Sequence, residues 1–335
     1  MVSLSRHKNT AIKNSELRPV NLRTDLAPLA DLIELVFSDS MDSNGRAALR
    51  EMRYLSKMGP GLPLISRMNE MAMGINLGYV WIANNNLVGN VSVYPTHMPR
   101  DMGEIWIIAN VGVHPDYQRR GIARKLMVAS MDMIRSRNAK SVILQVDVDN
   151  HSARNLYHSL GFIDERIWTV WQRTGSNMPP PLLEHDVYVR RRRRSEWRDE
   201  LALAHHIRPQ QQGGIGWLRP THVSQFQRSF FKQLSDWMNL RNTERLVIRP
   251  QQDDTLAASL WVDNAVGGRT KLTLLVDPRF RGYYDRVLLN TIVRRLGRSN
   301  LSIEHPDDDV ITSQVLQDYQ FKRQRTVVHM RWDVK

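Results

Sequence analysis

One stretch decides the fold of the first half of this chain: Val111-Gly112-Val113-His114-Pro115-Asp116-Tyr117-Gln118-Arg119-Arg120-Gly121-Ile122-Ala123. The apolar run at residues 105–113 predicts a buried strand, and apolar residues recurring from residue 122 to about Asn138 predict an amphipathic helix. A helix start offers unpaired backbone N–H groups and the positive end of the helix dipole. The loop between the two elements, with its arginines and glycine, is therefore a candidate phosphate site, the alternative being an ordinary strand-to-helix turn.

The composition indicates a folded protein with two domains. The chain has 335 residues, more than one ordinary domain needs, and 41% of them are hydrophobic. No apolar run approaches the roughly 20 residues of a membrane-spanning helix, so we expect no membrane partner. Residues 1–15 lack the apolar core of a secretory signal, and the expected localisation is cytoplasmic. The absence of cysteine excludes disulfides, thiolate metal sites and a cysteine nucleophile.

The chain is strongly basic, with a formal net charge of +13 and an unbroken arginine run at residues 190–194. Excess positive charge is typical of proteins that bind nucleic acid, anionic membranes or polyphosphate ligands. The simpler interpretation is a solvated surface with one arginine-rich linker. Because no helix-turn-helix or base-stacking motif accompanies the run, we expect no nucleic-acid partner.

Strands alternate with helices around the opening stretch, which predicts a mixed α/β fold. Before the stretch, the pattern predicts a strand at 17–20, helices at 27–37 and 46–57, and strands at 78–83 and 87–94 joined by the turn Asn84-Asn85-Asn86. After it, the pattern predicts a strand at 141–148, a helix at 152–160 closed by Gly161, and a strand at 162–172. Met68, Met71 and Met73 are either core filling or an adaptable wall of a binding site.

The second half of the chain repeats the order of elements of the first half. A strand that ends at Pro278 corresponds to the strand that ends at Pro115, and a helix, a strand, a helix and a final strand follow it. Ahead of Pro278, the pattern predicts a helix at 226–238 and strands at 244–248 and 257–262. The predicted organisation is a tail (1–15), a first domain (16–173), a linker with the arginine run (174–214) and a second domain (215–335).

Two motifs of the first domain resemble those of a known family. Gln118-Arg119-Arg120-Gly121-Ile122-Ala123 resembles the signature of the GCN5-related N-acetyltransferase (GNAT) family, and Asn150-His151-Ser152-Ala153-Arg154-Asn155-Leu156-Tyr157-His158-Ser159-Leu160-Gly161-Phe162 resembles its second conserved block. The resemblance, over residues 16–173, implies a mixed α+β sheet and, with the repeat, two tandem GNAT-like acyl-CoA N-acyltransferase domains. It implies an enzyme that needs acetyl-CoA as co-substrate and no metal. Its acceptor would be the primary amine of a small molecule or peptide.

The resemblance also implies how acetyl-CoA binds. The strand before the loop is bulged in this family and pairs with the pantetheine arm, and Gly112 is expected to ease that bulge. The pyrophosphate is expected at the helix start, where Gly121 permits close approach. The implied cofactor-binding residues are Val111, Gly112, Val113, Gln118, Arg119, Arg120, Gly121, Ile122, Ala123, Arg124 and Asn150.

Two side chains are implied to be catalytic. Tyr157 would act as the general acid that protonates the CoA thiolate, the alternative being simple burial in the core. Glu104 would act as the base that deprotonates the amine, the alternative being a strand-end charge in solvent. Asp147 and Asp149 are weaker candidates for the base, and Asn110 is a candidate for the acceptor pocket. The histidines, including His151 and His158, lack the spacing of a metal site.

The second copy lacks these features. Aligning the prolines places Tyr284 where Gly121 stands and puts Asp285 at the helix start, where bulk and negative charge oppose phosphate. Leu316 stands in place of Tyr157, and Gln320 in place of Gly161. The second domain is therefore expected to be a degenerate copy. A non-catalytic acyl-CoA-binding or sensing protein is the alternative to the enzyme.

Overall fold

The computed structural model describes residues 15–38, 41, 43–57, 77–227, 241–250, 255–265 and 269–335. The chain divides into two compact units. The first unit comprises Met1–Leu144 together with Trp332–Lys335, and the second comprises Gln145–Arg331. The predicted helix at 226–238 and the three methionines at 68–73 lie largely or wholly outside the described residues.

The first unit is a mixed sheet with helices packed on it. Its elements are β1 (Ser15–Pro19), α1 (Leu26–Phe37), α2 (Ser43–Leu55), β2 (Tyr79–Ala83), β3 (Asn86–Pro95), β4 (Ile105–Val113), α3 (Ile122–Arg135) and the first residues of β5 (Ser141–Asp147). The strands follow the order β1-β2-β3-β4-β5, antiparallel except for the parallel pair β4 and β5. The predicted helices and strands of this half are confirmed to within a few residues at their ends.

The hairpin between β2 and β3 is tighter than predicted. Asn84 and Asn85 have φ angles of 51° and 62°, and β3 already begins at Asn86. Two consecutive left-handed residues make the two-residue turn whose twist matches that of antiparallel strands, and asparagine tolerates this conformation well.

Helix α3 is fixed against the sheet by an apolar stripe. Ile122, Leu126 and Met127 are buried, at 2%, 0% and 0% exposure. A Cβ atom at Gly89 of β3 would lie 2.9 Å from Ile122 Cγ2, so the glycine lets the helix start approach the strand closely. Each such buried side chain stabilises the fold by about 1.5–3 kcal/mol. The packing therefore holds the first turn of α3 in place beside the end of β4.

The second unit is a second mixed sheet. Its elements are α4 (His151–Ser159), β6 (Ile163–Arg173), β7 (Arg190–Arg191), α5 (Trp197–Ile207), α6 (Val223–Phe226), β8 (Arg241–Ile248), β9 (Ala258–Ala265), β10 (Thr270–Val276), α7 (Tyr284–Arg295), β11 (Leu301–Pro306), α8 (Val310–Asp318) and β12 (Lys322–Asp333, up to Arg331). The strands follow the order β12-β6-β11-β10-β9-β8-β7. Helix α7 packs its buried face, with Val287, Leu288 and Ile292, into the main core of this unit.

The predicted repeat is visible in the topology of the two units. The antiparallel strands β8, β9 and β10 are followed by β11, which runs parallel to β10, as β5 runs parallel to β4. The compact units differ from the predicted domain bounds because β6, the last strand of the first repeat, pairs with β11 and β12. The bounds 16–173 and 215–335 remain predictions about the repeat.

The arginine run is part of the folded second unit. Its first three members each form an ion pair with a glutamate: Arg190 with Glu196 at 2.8 Å, Arg191 with Glu244 at 2.8 Å, and Arg192 with Glu200 at 3.2 Å. Strand β7, at the start of the run, pairs with β8. The charges of these three arginines are therefore balanced by carboxylates of the same unit.

Candidate acyl-CoA site

Strand β4 carries the bulge that the sequence resemblance implies. Asn90 of β3 pairs with Gly112, but Ser92 pairs with Ala109, so β4 holds one extra residue between them. Asn110 takes the left-handed conformation there, with φ at 51°. A bulge interrupts the ladder locally and re-aims the backbone groups of the bulged strand.

Two buried side chains of β3 hold the bulge in this conformation. The Asn90 side-chain amide donates to the backbone carbonyl of Asn110 at 3.0 Å, and the Asn110 amide donates to Ser92 Oγ at 3.2 Å. Asn90 and Ser92 are only 1% and 2% exposed. We call these three residues the bulge clamp. No sequence motif pointed to Asn90 or Ser92, because their role depends on strand register.

Gly112 has a different role from the one expected. The left-handed residue of the bulge is Asn110, so the bulge does not depend on the backbone freedom of Gly112. A Cβ atom at Gly112 would lie 3.3 Å from Phe37 Cε2 and 3.4 Å from Val36 Cγ1. The glycine therefore lets α1 pack closely against β4.

The loop after β4 is well defined by short-range hydrogen bonds. A 3-10 turn spans Pro115–Tyr117, and His114 Nδ1 accepts from the Asp116 N–H at 3.3 Å. The Gln118 side chain turns back and donates to the Val113 carbonyl at 3.2 Å. Gln118 therefore supports the loop through the end of the strand.

The start of α3 is open to a ligand. Gly121 is the N-cap residue, with φ at 77°, and it supplies no side chain to bond the first N–H groups of the helix. Nothing within the described residues lies within 4 Å of the position a Cβ atom would take there. The first turn of α3 (residues 122–125) holds no acidic residue. A glycine cap, a first turn without carboxylates and free space are features that suit a bound anion.

The arginines of the motif flank this helix start in the sequence. Arg119 and Arg124 are exposed, and Arg119 is left-handed with φ at 57°. Arg120 donates to the Asp116 carbonyl at 3.1 Å and stacks on Tyr117, 5.4 Å from the ring centroid. Ile122 is buried and anchors the turn, while Ala123 is partly covered.

Glu104 does not lie at the bulge. Its side chain is exposed at the beginning of β4, six positions before Asn110. At about 3.3 Å per residue, that separation is roughly 20 Å along the strand. The structure thus favours the strand-end alternative and gives no support to Glu104 as the base.

The second conserved block lies in the second unit. Asn150 is the N-cap of α4, where its Oδ1 accepts from the Ala153 N–H at 3.1 Å. Tyr157 is 6% exposed, with its ring 6.0 Å from that of Phe162. Burial raises the pKa of Tyr157, so the phenol keeps its proton at neutral pH. Among the weaker candidates for the base, Asp147 is ion-paired with Arg325 at 2.5 Å.

The described residues contain no group of three or more histidine, cysteine, aspartate or glutamate side chains able to hold a metal ion. His158 lies 3.2 Å from a carboxylate oxygen of Asp164, and His151 is exposed. No helix in the described ranges has both the length and the apolar character to cross a membrane.

Comparison with known proteins identifies the family of this site. A model of the acetyltransferase (GNAT) family matches residues 60–162, which include both motifs. The chain therefore carries a GNAT domain. Over 55 residues it is 40% identical to N-alpha-acetyltransferase 30 of Schizosaccharomyces pombe, and over 61 residues 38% identical to mycothiol acetyltransferase of Renibacterium salmoninarum. These matches cover 16% and 18% of this chain and only 37% and 17% of the two relatives.

Solved structures show that the whole chain shares a GNAT fold. A GCN5-related N-acetyltransferase from Sphaerobacter thermophilus matches 96% of this chain and 96% of its own length, with a TM-score of 0.59 and 14% identity. A tandem GNAT protein from the clavulanic acid biosynthesis pathway matches 96% and 99%, with a TM-score of 0.50 and 12% identity. The fold is thus the mixed α/β fold of tandem GNAT-like domains.

In the second unit, the loop that corresponds to residues 118–121 is followed by Asp285, whose carboxylate accepts hydrogen bonds from nearby backbone and side-chain donors. Asp285 Oδ2 accepts from the Gly282 N–H at 3.0 Å and from Thr312 Oγ1 at 3.2 Å, and Asp285 Oδ1 accepts from the Arg286 N–H at 2.9 Å. Asp285 is fully buried, and burial raises its pKa. The GNAT domain leaves its loop open, whereas this loop satisfies its backbone donors internally.

Proposed function

We propose that this protein is an N-acetyltransferase that transfers the acetyl group of acetyl-CoA to a primary amine by direct attack. The observation that carries the proposal is the glycine-capped, unobstructed start of α3 beside a bulged β4, within a GNAT domain. The acceptor is the amine of a small molecule or a peptide, and the site of action is the cytoplasm.

In this proposal, backbone groups make the main contacts with acetyl-CoA. The pyrophosphate accepts from the N–H groups at residues 121–124, and Arg119, Arg120 and Arg124 add positive charge around it. The pantetheine amides pair with β4 at Val111 and Val113, whose backbone groups are re-aimed by the bulge. Asn150, besides capping α4, contacts the pantetheine arm.

Tyr157 serves as the general acid. The neutral amine attacks the thioester carbon, forming the C–N bond, and collapse of the tetrahedral intermediate breaks the C–S bond. The departing thiolate takes the phenolic proton of Tyr157, the nitrogen releases one proton to solvent on becoming an amide, and Tyr157 regains one proton from solvent. The raised pKa of Tyr157 supports this role because it keeps the donor protonated over the working pH range.

The second loop is proposed not to bind acetyl-CoA. Asp285 occupies the backbone donors that the pyrophosphate would need, and Tyr284 fills the position of the glycine. Calorimetry with CoA then gives one equivalent per chain. Two equivalents would contradict the assignment of the second unit as a degenerate copy.

A thiol-release assay with acetyl-CoA and a panel of primary amines separates the enzyme from the alternative, a sensing protein that binds acyl-CoA without catalysis. Amine-dependent release of CoA supports the enzyme. Tight CoA binding with no release for any amine, at saturating acetyl-CoA, supports the sensor.

A further inference from the structure

A segment of the second unit without helix or strand, residues 175–186, runs along α7. We call it the strap. The Ser176 N–H donates to the Gly297 carbonyl at 2.7 Å, just beyond one end of the helix, and the Tyr283 hydroxyl donates to Asp186 at 2.8 Å at the other end. Fourteen residues of helix correspond to roughly 21 Å. The strap lies within the predicted linker (174–214), and these contacts fix it to the second unit.

Three prolines stiffen the middle of the strap. Pro179, Pro180 and Pro181 each hold φ near −65°, and a residue that precedes a proline is kept in the extended region. This stereochemistry favours the polyproline II conformation, which has three residues per turn. The burial of the strap follows that period, because Pro180 and Leu183 are partly covered. The exposed residues around them are Met178, Pro179, Pro181 and Leu182.

Two side chains of α7 hold the strap through its backbone. Asn290, which is 6% exposed, donates to the Pro181 carbonyl at 2.9 Å and accepts from the Leu183 N–H at 3.4 Å. Arg294 donates to the Pro180 carbonyl at 2.5 Å. The strap is thus ordered before any partner binds, which lowers the entropic cost of using its exposed residues in an interface.

Large apolar side chains are concentrated on the strap and next to it. Of the nine that are exposed among the described residues of the second unit, six lie here: Met178, Leu182, Tyr188, Tyr283, Val310 and Ile311. Ile311 of α8 belongs to this group because its Cγ2 atom lies 3.3 Å from the Cβ position of Gly282. We call these six residues the apolar strip. Single apolar residues are normal on a surface, whereas a group of this size marks an interaction site.

The two ends of the strap carry charges of opposite sign. Arg294 and Arg298 are exposed at its beginning, where the Arg298 carbonyl lies against Gly175. Glu184 and Asp186 are exposed at its end. Within the described ranges, no carboxylate is paired with either arginine, and no lysine or arginine is paired with either acid. A strip that is basic at one end and acidic at the other is complementary to a second copy of itself turned end to end.

We propose that the apolar strip is the interface of a homodimer whose two-fold axis crosses the strap near Pro181. The rotation places the acidic end of one strap opposite Arg294 and Arg298 of the second copy. It also places the exposed tyrosines of one copy against Met178 and the prolines of the other. Each contact occurs twice, because a two-fold interface uses the same surface on both copies. The inference does not depend on the proposed acetyl transfer.

The test is sedimentation equilibrium of the full chain at about 1 to 100 µM protein, where we expect the wild type to form a dimer. Replacing both Met178→Ser and Leu182→Ser should raise the dimer Kd at least about 100-fold, since each dimer buries two copies of each side chain. The matched control is Ile163→Ser, an exposed residue at the opposite end of β6 from the strap, which should leave the Kd unchanged. Circular dichroism verifies that the variants are folded.

Exchanging charges tests the end-to-end arrangement. Glu184→Arg alone should weaken the dimer about tenfold at low salt, because it places like charges opposite each other. Combining Glu184→Arg with Arg298→Glu should recover the affinity, since opposite charges again face each other with their signs reversed.

Three results contradict the inference. A wild-type protein that is monomeric over the whole concentration range excludes the dimer and leaves the strip to another kind of partner, such as a domain whose aromatic groove binds polyproline. A dimer whose Kd is unchanged by the Met178 and Leu182 substitutions, or rises equally in Ile163→Ser, is formed through a different surface. A double charge variant that dimerises no better than Glu184→Arg alone contradicts the end-to-end arrangement.

Discussion

The backbone carbonyl of Asn110 accepts a hydrogen bond from the side-chain amide of Asn90 at 3.0 Å, inside the bulge of β4. The acceptor is the left-handed residue of the bulge, and the donor is a buried residue of the neighbouring strand. This contact joins the sheet of the GNAT domain to the segment that is proposed to bind the pantetheine arm. The conformation of the bulge is thus set by a residue that carries no family signature.

Asn90→Ala removes this donor and leaves the Asn110 carbonyl without its partner. An unsatisfied buried acceptor costs about 1–3 kcal/mol, and the bulge is expected to relax toward a regular ladder. We expect CoA affinity, measured by calorimetry, to fall about tenfold or more, together with a lower melting temperature. A double-mutant cycle of Asn110→Ala and Ser92→Ala controls for simple truncation, since the two effects should not add. Unchanged CoA affinity in Asn90→Ala would show that the clamp has only a structural role.

Gly121 allows a test of charge at the start of α3. Gly121→Ala introduces backbone strain of about 1 kcal/mol, because residue 121 is left-handed. Gly121→Asp introduces the same strain and adds a carboxylate that can accept from the first N–H groups of the helix, as Asp285 accepts from N–H groups of its own loop. We expect the aspartate variant to bind CoA at least about 100-fold more weakly than the alanine variant, while remaining folded. Circular dichroism and calorimetry measure the two quantities. Equal CoA affinity in the two variants would exclude the helix start as the phosphate site.

Tyr157→Phe separates acid catalysis from packing. The change removes only the hydroxyl group, so we expect kcat to fall about 100-fold or more with the Kd of CoA unchanged. Because burial raises the pKa of Tyr157 above its usual value of 10, its ionisation should produce no alkaline loss of rate below that pH. An alkaline limb near pH 8 or 9 that disappears in Tyr157→Phe would contradict this account.

The buried histidines of the second unit predict acid sensitivity. Burial lowers the pKa of His305 from 6.5 to about 4 and that of His329 from 6.5 to about 3. Between these values and 6.5 the unfolded chain binds protons that the folded unit does not, so stability is present above pH 6.5 and is lost as pH falls. The loss is roughly 3 kcal/mol per histidine.

Urea unfolding at several pH values between 7 and 4 measures this loss. His329→Gln should reduce the pH dependence, whereas His205→Gln, at an exposed position of α5, should leave it unchanged. A wild-type protein whose free energy of unfolding is flat over this range would contradict the assigned burial.

The sequence predicted what depends on local pattern. Strand β4 and helix α3 were recognisable because their apolar residues recur at a regular spacing, and the loop between them because arginine and glycine occur together at a helix start. The bulge clamp was not recognisable, because it depends on the register between β3 and β4. Gly112 was expected to ease the bulge, but the left-handed residue is Asn110, whose conformation is held by side-chain hydrogen bonds from and to β3.

Long-range pairing explains the other differences. Glu304 Oε1 and His329 Nε2 lie 3.6 Å apart although their residues belong to β11 and β12, the two strands that pair with opposite edges of β6. Hydrophobic periodicity cannot predict this strand order. Glu104 was placed correctly at the strand start, but its exposure and its distance from the bulge follow from the fold. The arginine run indicated a linker, and its ion pairs with Glu196 and Glu200 became apparent only in the folded unit.

The most direct test of the central claim is a thiol-release assay run alongside mass analysis of the amine. At an acetyl-CoA concentration near the wild-type Kd, the wild-type protein and a panel of primary amines should yield one acetylated amine for each CoA released, and Gly121→Asp should strongly lower both yields. CoA release without acetylated amine, or undiminished acetyl transfer in Gly121→Asp, would contradict the claim that the open start of α3 is the acetyl-CoA site of an N-acetyltransferase.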